Sequence, residues 1–145
     1  MANNPEKRAT VHFAESDFFI GVTPSGHAVT LDANDERLAA PTPVELLMVA
    51  LGSCTGVDVI SILKKKRQHV TDYRIEVTGE RRDENPRSFK LLKVHHLVKG
   101  HSISTQAVAQ AIELSDKKYC SVAATLRPTA EILSTFEIIE ESNVE

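Results

Sequence analysis

Long blocks of one charge are missing from this sequence, apart from Lys64 to Arg67. With 17 cations against 20 anions and a formal net charge of −3, it has no nucleic-acid-binding surface to predict. No glycine-rich loop is present to cradle a phosphate. The opening residues, MANNPEKRATVHF, lack the apolar core and cleavage site of a secretory leader. No apolar run approaches the roughly 20 residues that span a bilayer, so the expected setting is the cytoplasm, away from membranes. Cysteine occurs only twice, at Cys54 and Cys120. In that compartment the pair is not expected to form a permanent structural disulfide, which leaves buried thiols or redox-active ones. Six histidines offer no second ligand at metal spacing, because the adjacent His95 and His96 point to opposite faces of a strand. Neither a metal nor a cofactor is expected.

What is present is enough apolar sequence, 41% of 145 residues, to bury the core of a single domain spanning 1–145. Its centre is the stretch Thr42 to Arg67. Pro43 follows a Thr42 N-cap, four cations close the segment, and one helix of about seven turns is predicted. Leu46 to Leu51 are apolar without a break, so this helix needs cover on every side. Gly52 and Gly56 flank Cys54 and each weakens a helix interior by roughly 1 kcal/mol relative to Ala. The reading is that another backbone comes close there.

Before the helix, Ala9, Val11 and Phe13 alternate with polar residues, and Phe18 to Val22 follows across Glu15-Ser16-Asp17, which predicts a β-hairpin. His27, Val29 and Leu31 form a third strand, and Asp32 to Pro41 is a loop. After the helix, Tyr73, Ile75 and Val77 alternate as a strand wet on one side. Phe89 to Lys99 is partly apolar on both faces and so central in its sheet. Ser104 caps a second, amphipathic helix ending near Lys117 and Lys118. Cys120 to Leu126 is a short apolar segment stopped by Pro128, and Ile132, Phe136 and Ile138 mark a last strand. The order β-β-β-α-β-β-α-α-β is an α+β plan.

At about 100° per residue, Leu47, Leu51 and Asp58 lie within about 60° of Cys54 on the helix, so thiol, carboxylate and hydrocarbon share one face. A buried carboxylate there needs an arginine or a backbone donor; the plainer reading of Cys54 is a small side chain filling a gap. Cys54 stands about three turns from its helix N-terminus, too far for the dipole to activate it. Cys120, with Lys117 and Lys118 just before it and a short helix starting at it, has the better local case for a thiolate. Local chemistry alone does not decide which thiol attacks.

PTPVELLMVALGSCTGVDVISILKKKR, joined to LSDKKYCSVAATL, resembles the OsmC/Ohr family of osmotically inducible and organic-hydroperoxide-resistance proteins, nearest its YhfA-like branch. The resemblance runs through nearly the whole chain. It implies antiparallel sheets wrapped around a long central helix, an intertwined homodimer whose second subunit comes close at Gly52 and Gly56, and a pocket at each subunit junction. It also implies a peroxidase in which Cys54 attacks an organic hydroperoxide and becomes a sulfenic acid, Cys120 condenses with it, and a dithiol reductant restores both. Sulfenic acid needs rapid capture by a thiol, and an apolar pocket, here expected to involve Leu51 and Asp58, favours organic over inorganic peroxide. The family's enzymes hold the thiolate with an arginine, from an early turn or from the loop before the helix. The early turn here, Glu15 to Phe19, has none, and Arg37 is the loop's candidate, placed to cross to a partner subunit. The family's helix-start glutamate corresponds to Glu45, about 13 Å along the helix from Cys54, which acts through Arg37, through the partner chain, or as a helix-start carboxylate. The alternative is a non-catalytic dimeric module that binds a small hydrophobic molecule or senses redox state.

Overall fold

The computed structural model describes residues 6–142; the first five residues of the stretch searched for a leader lie outside them. The chain forms two compact units, a first running to Leu47 and a second from Met48.

In the first unit, β1 (Thr10–Glu15), β2 (Phe18–Val22) and β3 (Ala28–Asp32) make an antiparallel meander in the order β1-β2-β3. The hairpin between β1 and β2 turns at Ser16 and Asp17, both at positive φ (36° and 63°). That is the backbone hand of a two-residue loop, whose twist matches the strands it joins. Gly26, at φ 86°, turns the chain into β3.

α1 spans Pro43–Lys65. It opens on a capping box: the Thr42 N–H donates to Glu45 Oε2 at 2.8 Å and the Glu45 N–H donates to Thr42 Oγ1 at 3.2 Å, satisfying two donors that a helix start would leave without partners. It closes sooner than the run of cations suggests. Arg67 takes φ 57°, and the N–H groups of Arg67 and Gln68 return to the carbonyls of Lys64 and Leu63, both at 2.9 Å, a Schellman closure with arginine where glycine is usual.

The second unit holds β4 (His69–Arg81), β5 (Phe89–His101), α2 (Thr105–Leu114), a π-helical turn (Ser115–Tyr119), α3 (Ser121–Leu126) and β6 (Glu131–Glu140). β5 is central, as its two partly apolar faces predict, in the order β4-β5-β6. β4 pairs with it antiparallel. β6 lies parallel to it, in register Leu92↔Ile132 to Val98↔Ile138, because the helical crossover returns the chain to the end where β5 began. Val59 and Leu63 of α1 meet Val98, Val108, Ala111 and Ile112 in one buried cluster, each larger aliphatic side chain contributing about 1.5–3 kcal/mol by burial.

Two expectations about α1 are corrected. Gly52 and Gly56 make room for this chain's own β4: a Cβ on Gly52 would stand 3.1 Å from Val77 Cγ2, and one on Gly56 2.7 Å from Ile75 Cδ1. The helix turns its smallest residues to its own sheet so that the axis can sit close. It leaves Val49 (63% exposed) and Val57 (67% exposed) uncovered. The second correction concerns membranes. By length and composition α1 would suffice to cross a bilayer, with a mean hydropathy of 2.0 over its apolar window. Interspersed Ser, Thr and Gly hid this from a search for unbroken apolar runs.

Candidate active site around two cysteines

Cys54 lies near the middle of α1, and its sulfur faces the start of α3. Ser121 Oγ stands 4.0 Å from Cys54 Sγ, and the Val122 N–H and the Cys120 thiol are the other neighbouring donors that favour its anion. Burial raises the Cys54 pKa, but these three donors outweigh both burial and the nearby Asp58 carboxylate, so the thiol titrates below its ordinary value. Cys120 is the reverse case. It is buried at the N-cap of α3, where its Sγ accepts the Ala123 N–H at 3.4 Å. Burial first, and then the proton it shares with Cys54, pushes its pKa up to about 11.

This ordering overturns the local lean toward Cys120. Lys117 is drawn to Glu113 Oε1 at 2.6 Å, and Lys118 Nζ lies over the Tyr119 ring, 5.3 Å from its centroid. The π-helical turn redirects both cations, and neither contributes to the Cys120 shift. The short helix that begins beside Cys120 divides its donors between the two sulfurs: the Ala123 N–H goes to Cys120, while Ser121 Oγ faces Cys54. Ser121 and Val122 escaped the sequence reading; the one available signal was that a helix start following Cys120 offers free N–H groups to whatever faces it.

Asp58, one turn beyond Cys54, accepts a hydrogen bond from Ser115 Oγ at 2.9 Å, and Ser115 Oγ contacts Thr55 Oγ1 at 2.9 Å. Asp58 also lines an open groove of about 410 Å³ with Val57, Ile62, Leu114, Tyr119 and Lys65. Leu51, expected beside a ligand, is sealed in the second unit at 1% exposure, because it shares the inward side of α1 with Thr55 and Val59. Glu45 is engaged in the capping box already described.

Arg37 belongs to a cluster within the first unit. Its Nε donates to Asp32 Oδ2 at 2.7 Å, and its Nη2 donates to Asp32 Oδ1 at 2.8 Å and to the Ser16 carbonyl at 2.6 Å. Asp32 is fully buried and also receives the N–H groups of Asn34 and Ala39. The Arg37 side-chain hydrogen bonds hold its carboxyl far below the usual range. Among the described residues, no three His, Cys, Asp or Glu side chains converge as metal ligands.

The sequence matches the family described as OsmC-like protein over residues 33–134. Protein YhfA of Escherichia coli K12 is 40% identical over 132 residues, covering 91% of this chain and 98% of the relative. Among solved structures, a hypothetical protein from Aquifex aeolicus VF5 has 33% identity and a TM-score of 0.85, covering 95% of this chain and 99% of that one. The organic hydroperoxide resistance protein OhrB of Bacillus subtilis, at 13% identity, shares the fold, with a TM-score of 0.62 over 91% of this chain and 98% of that one.

Proposed function

The chain belongs to the OsmC-like protein family, and from that premise we propose that it is a thiol-dependent peroxidase acting on organic hydroperoxides. The observation that carries this reading is the asymmetry of the two thiols. The neighbouring donors of Ser121, Val122 and Cys120 lower the pKa of Cys54, while burial raises that of Cys120 beside it. The Cys54 thiolate attacks the outer peroxide oxygen, the O–O bond breaks, and the leaving alkoxide takes up a proton as alcohol. Cys54 sulfenic acid then condenses with Cys120, releasing water and forming the disulfide, which a dithiol reductant reopens.

In this reading Arg37 lends its charge to the Cys54 thiolate of a partner subunit. Glu45 supports the helix start from which Cys54 is displayed. The groove beside Asp58, apolar on one wall, takes the organic part of the peroxide. The exposed Val49 and Val57 on α1 support a homodimer that covers them; a mass in solution corresponding to one chain would refute that. The setting consistent with free thiols is the cytoplasm.

Organic hydroperoxide added to reduced protein is expected to remove two thiols per chain and form an intramolecular disulfide. Turnover should vanish in Cys54→Ser. Unchanged thiols at excess peroxide would sink the peroxidase. That result would favour the second reading, a non-catalytic module binding a small hydrophobic molecule, which the same groove supports.

A further inference from the structure

Serine and threonine inside a helix ordinarily return their hydroxyl hydrogen to a carbonyl of the preceding turn. Ser53 does this, donating to Val49 O at 2.8 Å. Thr55, two residues on and fully buried, bonds instead to Ser115, equally buried and 60 residues away. Ser115 has one hydroxyl hydrogen, and it goes to Asp58 Oδ2. The Thr55 contact is therefore donated by Thr55, and the hydrogen bonds run one way, from Thr55 to Ser115 to the Asp58 carboxylate.

Ser115 is engaged on its main chain as well. Its N–H closes α2 on the carbonyls of Ala111 and Ile112, and its carbonyl accepts the Cys120 N–H at 2.9 Å, the bond that closes the π-helical turn. One residue thus fastens, by its side chain, the stretch of α1 that carries Cys54 and, by its carbonyl, the residue that carries the second thiol. A π turn is a local insertion with poorer hydrogen-bond geometry than the helix around it, and such turns recur at functional sites. This one sets where Cys120, Ser121 and Val122 stand relative to Cys54.

We propose that the Thr55–Ser115–Asp58 chain is a positioning device that locks the π-helical turn to α1 and so holds Cys120 and its neighbouring donors against Cys54. The proposal rests on Cys54 and Cys120 being a reacting pair, though not on peroxide being their oxidant. Ser115 touches neither sulfur through its side chain and acts only through the turn.

The test uses the full chain in glutathione buffers, where oxidised glutathione converts the two thiols to the intramolecular disulfide and leaves two reduced glutathiones. Ser115→Ala is expected to lower the equilibrium constant for that disulfide about tenfold, the size of one buried hydrogen bond. It should also move the Cys54 alkylation midpoint to higher pH, because the donors from Cys120, Ser121 and Val122 follow the turn. Under excess organic hydroperoxide more of Cys54 should end as sulfinic acid, since capture by Cys120 is slower. Ser115→Thr keeps the hydroxyl and should restore the wild-type constant. Leu63→Ala, which loosens α1 away from the turn, should leave both readouts in place despite its lower stability. Should Ser115→Ala not fold, Thr55→Val removes the far donor at constant shape and should act in the same direction with smaller size. A folded Ser115→Ala or Thr55→Val with the wild-type constant and midpoint overturns the proposal, as does a wild-type pair that forms no disulfide with glutathione. A wild-type disulfide that forms with glutathione but never with hydroperoxide would end the peroxidase reading and leave this one standing.

Discussion

The Asp32–Arg37 cluster of the first unit and the Cys54 cluster of the second both stabilise an anion, by opposite means. Asp32 is held by a guanidinium five residues away and by two N–H groups of its own loop. Cys54 is approached by donors from a helix start 67 residues on, all of them neutral. A carboxylate locked to a full charge loses its affinity for protons and becomes structural. A sulfur approached by neutral donors has its pKa lowered without being locked into an ion pair. The difference lies in what each anion is free to do.

The strongest way to break this contrast is Arg37→Ala. It leaves the buried Asp32 carboxylate with backbone donors alone, and thermal unfolding should show a large loss of stability. If Arg37 also reaches Cys54, as the proposed function requires, the Cys54 alkylation midpoint rises. An unchanged profile would separate the two clusters and take Arg37 out of the site.

Acid should divide the units next. His96, fully buried on β5 with its Nδ1 2.6 Å from Tyr73 Oη and its Nε2 without a partner among the described residues, has its pKa lowered to about 4, by burial and then by His95. The unfolded chain binds that proton near pH 6.5, so the stability this neutral histidine confers is full above about 6.5. It falls as pH drops toward 4, by at most about 3 kcal/mol. Asp32 is also depressed, and its contribution is lost only at pH values below the ordinary carboxylate range. Hydrogen exchange between pH 6.5 and 4 is therefore expected to rise in β5 while the loop at Asp32 to Ala39 keeps its protection. The double replacement His96→Leu with Tyr73→Phe should flatten that dependence; a β5 that still loosens over the same range would show that His96 is not the cause.

The smallest effect sharpens the comparison from the other side. Ser121→Ala removes one neutral donor from Cys54 and should raise its alkylation midpoint by less than about one pH unit, since a single neutral hydrogen bond is worth about 1 kcal/mol net. A shift as large as that produced by losing a charge would mean the donors do not act independently.

Local elements were legible to the extent that their causes are local. The Thr42 and Ser104 caps, the alternation of β1 to β4 and the two-sided apolarity of β5 each depend on residues within one turn or one strand of each other. The π-helical turn was not legible, because Ser115 to Tyr119 continue the helical spacing of α2 and only the demands of the crossover insert the extra residue. The role of Gly52 and Gly56 was misassigned for a related reason: glycine announces that something comes close without saying what.

The sequence by itself determined the α+β order, the start of α1, the presence of two thiols and the family they belong to, all of which follow from periodicity, caps and a short ordered motif. Which thiol has the lower pKa was decided only in three dimensions. Lys117 and Lys118, adjacent to Cys120 in the chain, turn to Glu113 and Tyr119, while Ser121 and Val122 cross to Cys54. Hydrogen bonding and charge act over a few ångströms of space, and folding reassigns those ångströms regardless of chain order.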